Sequence, residues 1–172
     1  MPVEYLKVGV VVERRSSASP WADHGWVPVA VLPDAPDLPP WTSLGKGPDR
    51  ERFYLGPAEI ALFGVDTAYF RDNFLMGAPQ LWVALRQTGA TPEIELVGVT
   101  ADPNEGEAYT QTVDDIVEAL PMPAEIAARV AAFFEAHHVE REFVKRKRDR
   151  KRPDDERRGP PGLRSGGMDR NS

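Results

Sequence analysis

The sequence predicts an α+β domain: a mainly antiparallel β-sheet, or partial barrel, followed by a packed C-terminal helix. β-branched runs joined by turn-rich segments come first in the chain, and the clearest amphipathic helix comes last. Alternating strand–helix–strand units, which would predict a parallel sheet, are absent. The 17 prolines also favour many short elements, because proline interrupts helices and central strands.

The first hairpin is predicted near the N-terminus, where two apolar runs flank a joint rich in turn residues. Residues 3–15 are rich in valine and predict the first strand, and residues 26–32 predict the second. Pro28 predicts that the second strand either lies at a sheet edge, where a missing N–H group is tolerated, or starts late. The proline-rich residues 33–40 can extend neither helix nor sheet, so we expect a loop there.

The middle of the chain predicts further strands. They are expected at residues 52–55, 59–63, 80–87 and 93–100. Gly56-Pro57 is the predicted turn between the first two, and residues 88–92 suit a hairpin loop between the last two. Residues 41–47 predict a short turn or an extended piece.

Three segments carry helix signals. Residues 66–74 are ambiguous, although Asp66 or Thr67 could cap a short helix there. Asp102, followed by a proline, marks the start of a second helix, whereas residues 113–120 fit no pattern clearly. The strongest helix begins at Pro123 and continues to about residue 138. Its apolar stripe, at three- and four-residue spacing, contains Ile126, Val130, Phe133 and Phe134.

The two parts of the chain carry opposite charges. Residues 1–144 hold 10 Lys and Arg against 22 Asp and Glu, a net charge of −12. Residues 145–172 hold 11 against 5, a net charge of +6, and are rich in proline and glycine. We therefore expect a single α+β domain at residues 1–144 and a disordered, basic interaction tail at residues 145–172.

Several function classes lack their sequence signals. Without cysteine, the chain has no disulfide, thiolate metal site or cysteine nucleophile. Phosphate-binding glycine loops, the GxSxG elbow and the HExxH zinc motif are absent as well. We expect no secretory signal, because the N-terminal residues have no basic region ahead of an apolar core, and the aliphatic run at residues 8–12 is far shorter than the roughly 20 residues of a membrane span. We expect a cytoplasmic protein without catalytic residues, cofactor, metal ion or membrane contact.

Tryptophans supply the first candidate binding residues. Trp82 alternates with aliphatic residues and is expected in the core. Trp21, Trp26 and Trp41 lie in or beside turn-rich segments, and aromatic residues are enriched in binding hot spots. They predict a recognition surface, although loop tryptophans also fold back to cover small cores.

The histidines are the second group of candidates. His24 lies in a predicted turn, and a structural role is favoured because catalysis would need a reacting group within hydrogen-bond reach. His137 and His138 end the last helix, beside glutamates that could complete a metal site. Adjacent helical residues point about 100° apart, so a favourable charge at the helix C-terminus is preferred over metal binding. Both are included in the predicted binding surface.

A basic run is the last candidate. It begins with Lys145, Arg146, Lys147 and Arg148. The run could contact an acidic protein surface or phosphate groups, or remain solvated. No aromatic residue is interleaved to stack on bases, and the acidic body opposes nucleic acid by long-range repulsion.

Several stretches, in a fixed order, resemble a known family. They are VGVVVERR, GWVPVAVLP, LWVALR, VTADPNEGEAY, ALPMP, AAFFEAHHVEREF and VKRKR. Together, across residues 6–150, they resemble an uncharacterised proteobacterial domain-of-unknown-function family that is often encoded near genes for molybdenum-containing formate dehydrogenases. The resemblance implies a role in formate dehydrogenase or molybdoenzyme maturation and brings no catalytic residues.

The leading hypothesis is a non-catalytic accessory or adaptor protein that binds a protein partner. The resemblance makes a formate dehydrogenase component the expected partner. Two alternatives stay open: a nucleotide- or pterin-handling protein of molybdenum cofactor maturation, and nucleic-acid binding through the basic tail.

Overall fold

The computed structural model describes residues 2–17 and 24–139. The chain divides into two units, Met1–His138 and Val139–Ser172. All the helices and strands of the described residues belong to the first unit. The tail predicted at residues 145–172 lies outside the described residues, so its disorder stays a prediction.

The first sheet is antiparallel and contains four strands in the order β2-β1-β4-β3. The strands are β1 (Val3–Ser16), β2 (His24–Leu32), β3 (Thr42–Lys46) and β4 (Arg50–Phe63). β1 is central because its valine-rich sequence can be buried over most of its length. β2 lies at an edge, which confirms the position expected from Pro28.

β4 is one long strand, so the prediction of a turn at Gly56-Pro57 is wrong. The register with β1 shifts by one residue at Leu55, which is the extra residue of a β-bulge. Gly56 accommodates the bulge because glycine tolerates its φ of 137°. β3 pairs only with residues 51–54, so β4 has no β3 neighbour at Pro57 and loses no hydrogen bond to it.

The second sheet is also antiparallel and has the order β6-β5-β7. Its strands are β5 (Gln80–Gln87), β6 (Ile94–Thr100) and β7 (Asp115–Pro121). The hairpin predicted from residues 80–87 and 93–100 is confirmed. β7 was not assigned from the sequence, because Leu120 is its one buried residue and the strand shows little alternation of burial.

The three α-helices lie where helix signals were found. They are α1 (Thr67–Leu75), α2 (Pro103–Tyr109) and α3 (Ala124–His137). A single 3₁₀ turn at Gly64–Asp66 precedes α1. The Asp102 side chain caps α2 as predicted, accepting a hydrogen bond from the Asn104 N–H at 2.8 Å. The predicted α+β class with a packed C-terminal helix is confirmed.

Both sheets share one hydrophobic core with α1 and α3. Its buried side chains include Leu6, Val8, Val10, Ile60, Leu62, Phe70, Leu81, Val83, Leu85, Ile94, Ile126, Val130 and Phe133. Phe70 of α1 and Phe133 of α3 meet edge to face, with ring centroids 6.2 Å apart. Burial of these side chains is the main favourable term that holds the two sheets and the helices together.

The proline-rich loop crosses the first sheet on the face opposite the core. It has to cross β1 and β4, because β2 and β3 lie at opposite edges of the sheet. Gly9 provides the space: a Cβ atom there would lie 2.9 Å from Tyr54 Cε2 and 3.0 Å from Pro36 Cδ. The loop ends at Trp41 and therefore places that residue at the edge of the sheet formed by β3.

Candidate functional site

Three aromatic rings and a guanidinium meet at one end of the first sheet. This group, the aromatic surface, consists of Trp26, Trp41, Phe53 and Arg14. The ring centroids of Trp26 and Trp41 lie 5.3 Å apart, and that of Phe53 lies 5.8 Å from Trp26 and 5.9 Å from Trp41. All three rings are half-buried and pack against the core. Tilted and edge-to-face arrangements of this kind are favourable for aromatic pairs.

Strand register explains why residues so distant in sequence meet here. Trp26 on β2 pairs with Arg14 on β1, Arg14 pairs with Glu51 on β4, and Glu51 pairs with Lys46 on β3. Directly paired residues of antiparallel strands lie on the same face of the sheet. One row of side chains therefore crosses all four strands.

Arg14 is held by two kinds of contact. Its guanidinium carbon lies 5.9 Å from the Trp26 ring centroid and 5.4 Å from that of Phe53, within the range of cation–π attraction. Its Nη2 also donates a hydrogen bond to Glu51 Oε1 at 3.0 Å. With 40% of the side chain exposed, Arg14 presents a positioned cation to the solvent.

Trp41 has a backbone conformation that bulky residues rarely adopt. Its φ is 71°, in the left-handed region, where such a residue typically stores about 1–3 kcal/mol of strain. The Trp41 N–H donates to the Tyr54 carbonyl at 2.6 Å, which holds the chain in this conformation. Strain of this kind persists only where surrounding contacts enforce it, and it is concentrated at functional sites.

Glu93 joins the aromatic surface to the second sheet. It immediately precedes β6, and its Oε2 accepts a hydrogen bond from Trp26 Nε1 at 2.8 Å and also contacts His24 Nε2. Two hydrogen bonds lower the pKa of Glu93 below its ordinary value: the one from Trp26 has the larger effect, and the one from His24 has the next largest. The indole of Trp26 is therefore fixed from both sheets.

A small cleft, the polar cleft, lies beside the aromatic surface. Its volume is about 140 Å³. Its lining includes Arg14, Ser16, His24, Lys46, Asp49 and Glu51. Ser16 N–H donates to the Asp49 carbonyl at 2.8 Å, so the end of β1 is tied to the turn between β3 and β4. Arg14 and His24 line this cleft and also contact Trp26.

Residues 7–147 match the model of a family described as Protein of unknown function (DUF3305). The chain belongs to this family. The matched range contains every residue of the aromatic surface and of the polar cleft. Comparisons with curated proteins and with solved structures gave no match. The geometry of individual residues therefore has to indicate their roles in this DUF3305 protein.

The DUF3305 fold brings two of the predicted surface residues together. Trp26 and Trp41 are neighbours in the aromatic surface, although 14 positions separate them in the sequence. Trp21 lies outside the described residues. The same is true of Lys145, Arg146, Lys147 and Arg148. A binding role for these five residues stays a prediction.

The histidines occupy three different environments in this DUF3305 protein. His24 is the first residue of β2 rather than part of a turn, because it pairs with Ser16 across the sheet. His137 is exposed and lies 4.6 Å from the Phe133 ring centroid. His138 stacks on Phe134 with centroids 4.3 Å apart, and its Nδ1 shares a 2.9 Å hydrogen bond with Thr67 Oγ1.

The contacts of these last two histidines lie along α3 and with Thr67 at the start of α1. They are not contacts with the aromatic surface, so the structure does not join the two groups into one site. The position of His138 at the C-cap of α3, where its N–H donates to the Phe134 carbonyl at 2.8 Å, fits the predicted location at a helix end.

Sequence reasoning missed Arg14, Phe53, Glu93 and Lys46. A basic residue at the end of a strand, or a glutamate after a hairpin loop, is too common to be singled out alone. Arg14, Phe53 and Lys46 share one signal, the strand register, which sets which side chains are neighbours and depends on the bulges in β2, β3 and β4. Glu93 precedes β6 and has no such signal.

Two further features of the described residues bear on function. Within residues 2–17 and 24–139, no three His, Asp or Glu side chains are grouped so that they could hold a metal ion. In that same part of the DUF3305 chain, no helix has the length and apolar character needed to cross a membrane.

Proposed function

We propose that this protein is a non-catalytic accessory or adaptor protein that binds a protein partner through the aromatic surface. The observation that carries the proposal is the half-buried cluster of two tryptophans, a phenylalanine and an arginine at one end of the sheet. Tryptophan and arginine are the residue types most enriched among binding hot spots, and interface cores favour aromatic side chains.

The pre-organisation of the aromatic surface supports the same proposal. Arg14 is fixed by Glu51, and the Trp26 indole is fixed by Glu93. Side chains that are ordered before binding lose little conformational entropy when a partner docks. The backbone of Trp41 is also held in one strained conformation, so a third residue of the aromatic surface is fixed before binding. These contacts favour a ready-made docking surface over simple coverage of a small core.

For the partner, we propose a component of formate dehydrogenase or of molybdoenzyme maturation. This step rests on the family resemblance alone. The acidic body, with a net charge of −12 over residues 1–144, favours a protein partner over nucleic acid.

Affinity purification of the tagged full chain from its native host, followed by mass spectrometry, tests the proposal. We expect enrichment of a formate dehydrogenase subunit or a maturation factor over a tag-only control. Trp41→Ala should weaken the interaction about thirtyfold, the loss typical of a hot-spot residue worth about 2 kcal/mol. Leu75→Ala is the matched control, because Leu75 is 75% exposed at the end of α1 and should not affect binding.

Two results would count against the proposal. If Trp41→Ala retains the partner as well as Leu75→Ala does, with an unchanged thermal midpoint, the aromatic surface is not the docking site. If no protein is enriched even at low salt, the adaptor role itself fails. A thermal shift with GTP or a pterin would then favour the nucleotide- or pterin-handling alternative.

A further inference from the structure

The polar cleft adjoins the aromatic surface and shares Arg14 with it. Arg14, Glu51 and Lys46 stand side by side on one face of the first sheet, so two cations flank one acid. Both oxygens of the acid are engaged: Glu51 Oε1 accepts from Arg14 Nη2 at 3.0 Å, and Oε2 accepts from Ser43 Oγ at 2.8 Å. Each carboxylate oxygen of Glu51 therefore already accepts a hydrogen bond from a neighbouring side chain.

The two cations keep spare donor capacity. Over residues 2–17 and 24–139, Lys46 forms no ion pair. A guanidinium carries five N–H groups, and Arg14 donates one of them to Glu51. Arg50, which also borders the cleft, directs its Nε toward Glu13 Oε1 at 3.6 Å instead. Arg14 and Lys46 are the two cations that flank Glu51 in the row of paired residues, and both line the cleft.

We propose that the polar cleft binds one carboxylate, the side chain of an aspartate or glutamate of the partner, an inference that rests on the proposed docking function. The carboxylate accepts hydrogen bonds from Arg14 and Lys46, and residues next to it in the partner lie against Trp26 and Trp41. Charge-assisted hydrogen bonds from arginine and lysine to carboxylates are among the strongest in proteins. The partner's docking segment therefore combines an acidic residue with apolar neighbours.

Charge favours a carboxylate over a phosphate. A volume of about 140 Å³, the space of four or five water molecules at roughly 30 Å³ each, is enough for one small charged group of either kind. The cleft is lined by three cations, Arg14, Lys46 and Arg50, and by two carboxylates, Glu51 and Asp49, so these side chains carry a net charge of +1. A singly charged carboxylate neutralises this charge, whereas a phosphate monoester, with a charge near −2 at neutral pH, leaves an uncompensated negative charge beside Glu51 and Asp49.

The test is an NMR titration of the isotope-labelled full chain at constant ionic strength. The probe is N-acetyl-aspartate N-methylamide, a peptide-like compound with one side-chain carboxylate. We expect saturable shifts of the backbone amides of Ser16, Lys46 and Asp49, with a Kd on the order of 1 mM for so small a probe. The neutral N-acetyl-asparagine N-methylamide should bind about tenfold more weakly, because it lacks the charge.

Matched variants locate the site. Lys46→Gln should weaken binding of the aspartate probe about tenfold. Lys7→Gln removes the same charge from an exposed position at the other end of β1 and should change the Kd less than about twofold. Equal affinities for the two probes, or equal losses in the two variants, would overturn the proposal.

A third probe, which carries a phosphate, distinguishes a carboxylate site from a phosphate site. The titration also does not require the partner protein, so it tests the cleft independently of the adaptor role. If N-acetyl-phosphoserine N-methylamide binds more tightly than the aspartate probe, the cleft selects phosphate and the carboxylate assignment is wrong. Because the titration needs no partner, its failure leaves the adaptor role standing. Conversely, normal probe binding by a chain that enriches no partner would remove the adaptor role and leave the carboxylate site.

Discussion

Trp41 shows how much of the candidate site depends on single residues. Its side chain lies against Trp26 and Phe53 only because the backbone turns through a φ of 71° after the proline-rich crossing. Propensity does not predict that conformation, because bulky side chains disfavour it. The sequence predicts a recognition surface from the turn signals beside Trp26 and Trp41, and that role stays a prediction. The arrangement of the rings is set by contacts that only the folded chain provides.

Gly9 is the residue on which the crossing of the first sheet depends. In Gly9→Ala, the added methyl group would lie 2.9 Å from the Tyr54 ring and 3.0 Å from Pro36, so one of them must move. We expect the free energy of unfolding to fall by about 1–3 kcal/mol, the usual cost of overpacking. Urea denaturation monitored by tryptophan fluorescence measures the change.

Gly45→Ala is the control for this substitution. No heavy atom lies within 4 Å of a Cβ at Gly45, so its effect should stay within about 0.5 kcal/mol. Equal stabilities of the two variants would show that the loop does not press on β1 at Gly9.

At the scale of elements, strand positions were easier to predict than strand continuity. The apolar runs that became β1, β2, β5 and β6 were all recognised, because periodicity and β-branched composition mark such strands. The Gly56-Pro57 pair had the composition of a turn, yet it continues β4 beyond a bulge. Whether glycine and proline end a strand or bend it depends on the pairing partner, which is not a local property.

Glu93, which immediately precedes β6, connects the second sheet to Trp26 and His24 on β2 of the first sheet. In Glu93→Gln, the charge that attracts His24 and Trp26 is lost, so we expect a lower free energy of unfolding at pH 7. The pKa of Glu93 is lowered in the folded protein, chiefly by the hydrogen bonds from Trp26 and His24. Its stabilising contribution is therefore present above the ordinary pKa of 4.5 and is lost as the pH falls through the lower, folded-state value.

Urea denaturation from neutral to acid pH measures this contribution. The difference between wild type and Glu93→Gln should shrink below about pH 4.5 and vanish once the carboxylate is protonated in both states. Glu118→Gln, an exposed substitution on β7, serves as the control and should show no such dependence. A difference that is constant over the whole range would mean that charge plays no part in the link.

At the scale of the whole molecule, the fold class was predictable and the site was not. The α+β class follows from the order of the elements along the chain, with strands first and the best helix last. The site depends on which strands are neighbours: β2 and β3 lie at opposite edges, so one row runs from Trp26 to Lys46 across four strands. Strand order and register come from the packing of the complete core, and a local pattern does not specify them.

One buried tyrosine, Tyr54, and one half-buried tyrosine, Tyr109, connect the stability of the whole molecule to alkaline pH. Tyr54 lies in the first sheet, and burial raises the pKa of its hydroxyl above 10.0. The pKa of Tyr109 on α2 is raised further, chiefly by burial and also by the charge of Glu105 and by the hydrogen bond that the hydroxyl donates to Glu105 at 3.1 Å. The folded protein therefore holds both protons more tightly than the unfolded chain does.

The sign of the effect follows from this difference in proton binding. The stabilisation is fully present below the unfolded tyrosine pKa of 10.0 and is lost as the pH rises through that value toward the folded-state values. Urea denaturation at about pH 8 and about pH 10.5 should show the free energy of unfolding falling at the higher pH.

Tyr109→Phe should lower the free energy of unfolding at pH 8 by about 1 kcal/mol, because a hydrogen bond is lost, and should make its decline at alkaline pH less steep. Tyr5→Phe, at a position 56% exposed, should leave the decline unchanged; if it flattens the decline as much as Tyr109→Phe does, burial of Tyr109 is not the cause.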